Sequence, residues 1–368
     1  MIETNVKKDR EVTKVEVVRD HLRLNIVNGV YCPGNRLPTF VEMVDEFAVG
    51  RDVLQRALAS LKRDGFIRSV NRRGLFVVPN PPHLHQYGIV TAASPGGPGW
   101  NQLMTAMSNE SHQIEKNDPH ARFRFYYDIQ EKETYSAALA QLREDILAHR
   151  LAGLFLTPHT FHIFEHPSLK DLRVPRVYLW AADEVGRTPR VGTDGTQLIV
   201  RALHYLHDQG RRRIAILHMI DTSSTIPHQA LYKEAGLEYH APWIQHVVRT
   251  HPELAQELIS LLMDARIDVR PDGLIIADDN LVEPVSRGLI NQGIKVGQDL
   301  EIVAHCNWPW PIQSVLPMTR IGFDISEILR SAMSAITLQR EGKTPLESHQ
   351  VRAQFEHEVP LKTASSYT

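Results

Sequence analysis

RLPTFVEMVDEFAVGRDVLQRALASLKRDGFIRSVNRRGLFVV, residues 36–78, divides into two helices and a hairpin. Thr39 stands three residues before Glu42, a capping-box signature for a short helix running to about Phe47. Ala48, Val49 and Gly50 make a turn. A helix over 51–64 follows, with Leu54, Ala57, Leu58 and Leu61 on one face and Gly65 placed to end it. Two apolar runs, 66–70 and 75–78, flank Asn71-Arg72-Arg73-Gly74 and read as a hairpin with a basic tip. Upstream, Val15, Val18, Leu22 and Ile26 recur at steps of three and four, so another helix over 12–27 is predicted, ended by Asn28-Gly29. Three helices and a two-stranded wing form a compact tri-helical plan.

That plan suits DNA. The third helix exposes Arg51, Gln55 and Arg56 opposite its apolar stripe, and such side chains bond to base edges or phosphates in a major groove. Arg72 and Arg73 at the wing tip are placed to lie along the backbone or minor groove. Each arginine alone reads equally well as a solvated surface residue; the constellation carries the reading. Charge agrees: up to Val78 there are 14 Lys/Arg against 10 Asp/Glu, net +4, and beyond it 27 against 33, net −6. An anionic partner is directed to the front of the chain.

At 368 residues the chain is long enough for more than one core. Its two cysteines, Cys32 and Cys306, lie far apart, which excludes a disulfide scaffold and a cysteine-based metal site. Residues 1–10 alternate in charge without the apolar core of a secretory signal, and no stretch has the length of a bilayer span. A cytoplasmic protein with no membrane partner is expected. His159, His162 and His166 lack a metal-ligand motif, and Gly96-Gly97-Pro98-Gly99 lacks the lysine of a phosphate-binding loop. With no nucleophile elbow or zincin pattern either, neither an enzyme nor a cofactor is expected.

Pro79-Asn80-Pro81-Pro82 opens a semi-rigid linker over 79–86. Beyond it the pattern alternates: strands at 88–91, 123–127, 152–156, 176–179, 214–217, 273–277 and 301–304, with helices at 100–114, 135–149, 197–206 and one ending near Leu289. This rhythm predicts parallel sheets covered by helices, with ligands bound beyond the carboxyl ends of the strands.

Residues 15–78 resemble the GntR-type winged helix-turn-helix through Pro33-Gly34-Asn35-Arg36-Leu37-Pro38, Ala48-Val49-Gly50-Arg51, Asp64-Gly65-Phe66-Ile67 and Arg73-Gly74-Leu75-Phe76-Val77. The resemblance implies DNA contacts by Arg36 and Arg51 and a helix start near phosphate at Thr39. Gly50 departs from the usual serine or threonine there. Residues 87–356 resemble the LacI-type regulator domain, related to periplasmic sugar-binding proteins, through Val191-Gly192-Thr193-Asp194, Gly210-Arg211-Arg212-Arg213-Ile214-Ala215 and Pro271-Asp272-Gly273-Leu274 with Asp278-Asp279. That implies a multidomain chain: a winged helix (α+β, 1–78), then a two-lobed α/β domain with three crossovers, dimerising through its lobes. Lobe 1 is expected at about 87–192 and 306–322, lobe 2 at about 193–305 and 323–356, and a tail at 357–368.

By the same resemblance Asp279 takes the acidic position that contacts ligand hydroxyls, with Asp278 where the family has asparagine. Both aspartates also read simply as caps of the helix that follows. The family's ligand-clamping arginine is absent from 221–230, which weakens an ordinary monosaccharide mode. His305 and Asn307 are candidate replacements, and Trp180 and Trp308 candidate stacking surfaces, or equally core residues. The expected function is operator binding by a homodimer, repression more than activation, controlled by a small-molecule effector such as a sugar or related metabolite. The alternative is an effector-independent architectural or constitutive DNA-binding protein whose sensor-like domain serves dimerisation.

Overall fold

In the computed structural model, which describes residues 13–130, 136–181, 188–219 and 226–359, the first two helices begin on reciprocal capping boxes. Thr13 and Glu16 close α1 (Lys14–Val27), and Thr39 and Glu42 close α2 (Phe40–Phe47), satisfying backbone N–H groups that a helix start leaves unpaired. A side-chain cap of this kind is worth about 1 kcal/mol. Helix α3 (Arg51–Arg63) starts at Gly50 without a side-chain cap and buries Leu54, Ala57, Leu58 and Leu61. These meet Leu22 and Ile26 of α1, Met43 of α2 and Phe66 in one apolar core. Strands β1 (Ile67–Val70) and β2 (Gly74–Val77) pair antiparallel, from Ile67 opposite Val77 to Val70 opposite Gly74. The expected three helices and wing are present. The linker differs from expectation, because α4 (Pro82–His85) turns it once and Pro81, Pro82 and His83 are buried.

The chain then runs through β3 (Gln86–Val90), α5 (Gln102–Asn117), β4 (Arg122–Tyr126), α6 (Ala137–Leu147), β5 (Gly153–Leu156), β6 (Arg176–Leu179) and β7 (Arg190–Thr193). It continues as α7 (Gly195–Asp208), β8 (Ile214–Met219), α8 (His228–Glu234), β9 (Ile244–Val247), α9 (Leu254–Leu262), β10 (Gly273–Ile276) and α10 (Val282–Asn291). Last come β11 (Glu301–Trp308), β12 (Thr319–Asp324), α11 (Ile325–Arg340), β13 (Ser348–Val351) and β14 (Gln354–Phe355). Readings on residues 1–12, on Tyr135, on 221–225 and on 360–368 lie outside the described residues.

Two six-stranded sheets result. The first has the order β13-β7-β6-β5-β3-β4 and is parallel throughout. The second, β14-β12-β11-β10-β8-β9, is parallel except for β14. A parallel sheet is covered on both faces, so its inner strands carry apolar side chains both ways: all four residues of β5 and of β10 are buried. The chain crosses between sheets after β7, after β12 and between β13 and β14, giving the three crossovers expected. The segments assigned after 306 are exchanged, however. Strand β11 continues unbroken to Trp308 and β12 pairs with it from Val303 opposite Thr319 to Trp308 opposite Asp324, so 306–322 belongs to the second lobe. Helix α11 packs on α5, β6 and β7, and β13 pairs with β7, so these return to the first. Among the described residues no helix is long and apolar enough to cross a membrane. Cys32 is exposed, Cys306 is buried, and both are free.

The register of β11 and β12 leaves no room at Gly322, where a Cβ would stand 1.8 Å from the Cys306 carbonyl oxygen. At Gly195 a Cβ meets nothing within 4 Å. Gly322→Ala is expected to lower stability by about 1–3 kcal/mol or more through overpacking against backbone, and Gly195→Ala to stay within about 0.5 kcal/mol. Thermal unfolding of the two full-length variants beside the parent checks this.

Candidate functional site

The N-terminal head concentrates its exposed arginines on one set of elements. Arg51, Gln55 and Arg56 are exposed on α3, whose opposite side is locked into the core. Arg36 bridges to Phe76 through the backbone, and its guanidinium lies beside Gly74 of the wing, 3.3 Å from where a Cβ would stand. Gly74 has φ +105°, so glycine serves both the turn and the close approach. Thr39 and Glu42 cap one another, the Thr39 amide donating to the Glu42 carboxylate at 2.6 Å and the Thr39 hydroxyl oxygen accepting from the Glu42 amide at 3.3 Å. Arg36, Thr39 and Gln55 line a groove of about 480 Å³ between the start of α2, α3 and the wing. Arg72, at φ 58° in the wing turn, and Arg73, whose guanidinium lies 6.0 Å from the Phe76 ring, complete the exposed basic tip.

The second site lies between the lobes, a cleft of about 1070 Å³. Its walls are the carboxyl ends of strands from both sheets: Thr91 after β3, Thr157 after β5, Trp180 after β6, Asp194 after β7, and Asp278 and Asp279 after β10. His305 and Asn307 of β11 also face it. Asn280 joins the lobes by accepting from the Gln102 amide at 3.0 Å. The Asp279 side chain is only 4% exposed, and one of its oxygens accepts from Asn307 Nδ2 at 2.7 Å. Burial pushes its carboxyl up to about 6, against the pull of His305 and Asn307. His305 Nδ1 stands 3.8 Å from the other oxygen, too far for a hydrogen bond, and is a buried atom with no partner among the described residues. The wall thus offers an acidic acceptor and an unsatisfied imidazole nitrogen side by side. Trp180 and His159, both on the wall, hold left-handed backbone at φ 55° and 70°, a strained conformation that clusters at ligand sites.

Residues 14–77 match the bacterial regulatory proteins of the gntR family, and residues 203–355 match the periplasmic binding protein-like domain. The chain joins a GntR-type head to a periplasmic-binding-protein-like domain. It is 21% identical over 345 residues to the arabinose metabolism transcriptional repressor of Geobacillus stearothermophilus, covering 85% of this chain and 87% of that protein. A regulatory protein of the LacI family from Chloroflexus aggregans shares the fold, with a TM-score of 0.58 at 18% identity over 73% of this chain and 96% of that one. Transcription regulator CcpA of Lactococcus lactis does so at 0.56 and 15% identity, over 74% and 97%.

Within the periplasmic-binding-protein-like domain the cleft gathers five of the six residues singled out from sequence: Trp180, Asp278, Asp279, His305 and Asn307. Trp308 is not among its walls; it is buried, and its indole donates to the Gln354 carbonyl at 3.0 Å. Asp278 does cap the turn that follows, accepting from the Asn280 amide, while Asp279 points into the cleft. Sequence reasoning missed Arg249, which follows β9 and lines the cleft in a chain whose clamping arginine was sought only in 221–230. It also missed His218, on the wall, whose Nε2 lies 2.7 Å from His228 Nε2, with His246 stacked beside it. Burial, then the neighbouring His228 and His246, pushes His218 down to about 3, so it is neutral. The sequence of this edge strand, Ile244-Gln245-His246-Val247, does not alternate and carried no period-two signal. His159, His162 and His166 do not converge: His162 pairs with Glu165, His166 with Ser168, and no metal-holding group of three occurs among the described residues.

Asp279 carries a pH signature. Its carboxyl is about 6 in the folded chain and near 3.8 when solvated, so the cost of burying it ionised is full above about 6 and relieved as pH falls below that. Asp279→Asn keeps an acceptor for Asn307 without the charge. The substitution is expected to raise the unfolding temperature more at pH 8 than at pH 5, measured by calorimetry on both proteins; an equal effect at both would contradict the raised carboxyl.

Proposed function

We propose that this chain is a dimeric transcription regulator that binds operator DNA through its GntR-type head and releases or grips it in response to a small polyhydroxylated effector held between the lobes. The observation that carries the proposal is the pairing, in one chain, of an exposed Arg51/Gln55/Arg56 helix face with an interlobe cleft whose wall holds a buried carboxylate and an unsatisfied imidazole. The first is what base and phosphate edges require. The second is what a ligand hydroxyl requires, since it donates to Asp279 and accepts from or donates to His305. The resemblance to a repressor of arabinose metabolism supports repression and a sugar-class effector, and Arg249 and His218 add polar side chains to the cleft wall. Dimerisation is supported by apolar side chains left exposed on the second lobe, with Leu254 at 45%, Leu261 at 66% and Ile290 at 51%.

Arg51→Ala is expected to weaken specific operator binding by about tenfold or more, the scale of one lost base contact of 1–3 kcal/mol. Neutralising Arg72 and Arg73 together is expected to weaken all sequences alike and to reduce the salt slope by about 2. Fluorescence anisotropy over several salt concentrations, on sites found by genome-wide occupancy mapping, separates the two. Sedimentation of the full chain is expected to give a dimer. Unchanged DNA binding by the Arg51 variant, or no effect of any sugar or sugar acid on operator affinity, would count against the corresponding half of the reading.

A further inference from the structure

The head does not hang on a free tether. Asp64, the C-cap residue of α3, has a side chain only 5% exposed and meets Arg23 of α1 at 2.5 Å. It also meets Arg150, from the first lobe, at 3.2 Å. Arg150 reaches in the opposite direction as well, donating to Asp145 at 2.8 Å and to Glu144 at 3.0 Å. The Asp145 side chain is fully buried and accepts from the Tyr126 hydroxyl at 2.6 Å. One guanidinium therefore bridges carboxylates of the two domains, the arrangement its planar fork favours.

The linker makes a second, independent attachment. His83 stacks on Phe66 of the head core with centroids 5.8 Å apart and planes 6° from parallel. Pro82 lies 3.6 Å from where a Cβ on Gly65 would stand. The linker is tied to the first lobe by Asn80, which donates to the Pro119 carbonyl at 3.2 Å, and by Arg340, which donates to the Leu84 carbonyl at 3.1 Å.

From this we infer that Arg150 is a positioning residue for DNA recognition: it holds the C-terminal end of the recognition helix against the first lobe and so sets the half-site spacing that a dimer accepts. The inference rests on the operator-binding reading. A dimer matches its two heads to half-sites at a fixed separation only when each head is fixed on its body. Tyr126, the far anchor of the bridge, also ends β4, and its carbonyl accepts from the amide of Thr91 on the cleft wall at 3.0 Å. The spacing constraint is thereby joined to the wall that contacts the effector.

Two measurements on the full chain test it. The first compares wild type and Arg150→Gln on an isolated half-site and on paired half-sites whose separation is changed one base pair at a time. Wild type is expected to lose about tenfold in affinity one base pair from its best spacing, and the variant about threefold or less, with half-site affinity unchanged within about twofold. The second needs no DNA: with labelled chain diluted into excess unlabelled chain, so that a dimer carries one labelled protomer, spin labels on exposed Cys32 of the head and on K116C of α5 are expected to give one narrow distance in wild type and a broad distribution in Arg150→Gln. A variant that keeps the wild-type spacing profile and the narrow distance overturns the inference. So does one that loses affinity equally at every spacing and on the half-site, since that is a merely structural role. A wild type that binds no DNA refutes the operator reading instead, and the spin-label distances still decide whether Arg150 holds the head.

Discussion

Neither face of a parallel sheet can be left to water, and the arrangement of this chain follows from that requirement twice over. Each parallel strand must be followed by a crossover that covers a face, so every strand of a lobe but β14 enters from the same end and their carboxyl ends emerge together. Two such lobes joined by three crossings set their carboxyl ends against a common gap. Residues as distant in sequence as Thr91, Trp180, Asp279 and Asn307 then become neighbours without any local signal for it. The cleft is a product of topology, and its chemistry is whatever residues happen to end the strands.

This explains which parts were legible beforehand. The head could be read almost entirely from sequence because its determinants are local: Thr39 with Glu42, the four apolar positions of α3, and the basic wing turn all lie within a few residues of each other. The inner strands were legible as continuous apolar runs. Strand β9 was not, because it lies at the sheet edge with only Val247 fully buried, and Arg249 was lost with it. The exchange of segments after 306 had the same root. Nothing in Cys306-Asn307-Trp308 says whether a strand ends there, and the pairing of β11 with β12 settles it through contacts between segments.

The aspartate pair shows the limit at a single site. Asp278 and Asp279 are adjacent and chemically identical, and capping and ligand contact were equally open readings for both. The turn after β10 gives them different partners: both line the cleft, but Asp278 accepts from the Asn280 amide, whereas Asp279 is buried against Asn307 with His305 beside it. Desolvation raises the second because its few partners do not replace the water it has lost.

Arginine in the head divides in the same manner, by what surrounds it rather than by type. Arg23, with a side chain 3% exposed, is held by Asp20 and Asp64 and lies 5.5 Å from the Phe66 ring. Its charge is matched inside the protein, where breaking such a pair leaves an uncompensated buried ion and costs about 3–5 kcal/mol. Arg36, Arg51, Arg56, Arg72 and Arg73 are exposed instead. Their charge remains available to a partner whose phosphates release counterions on contact. Within the head, Arg19 and Arg23 are matched by Asp20 and Asp64, so the net +4 resides on the remaining residues, which include the exposed arginines of α3 and the wing. An anion approaching the wing and α3 meets the unmatched part of the distribution, which is the part that determines encounter and docking.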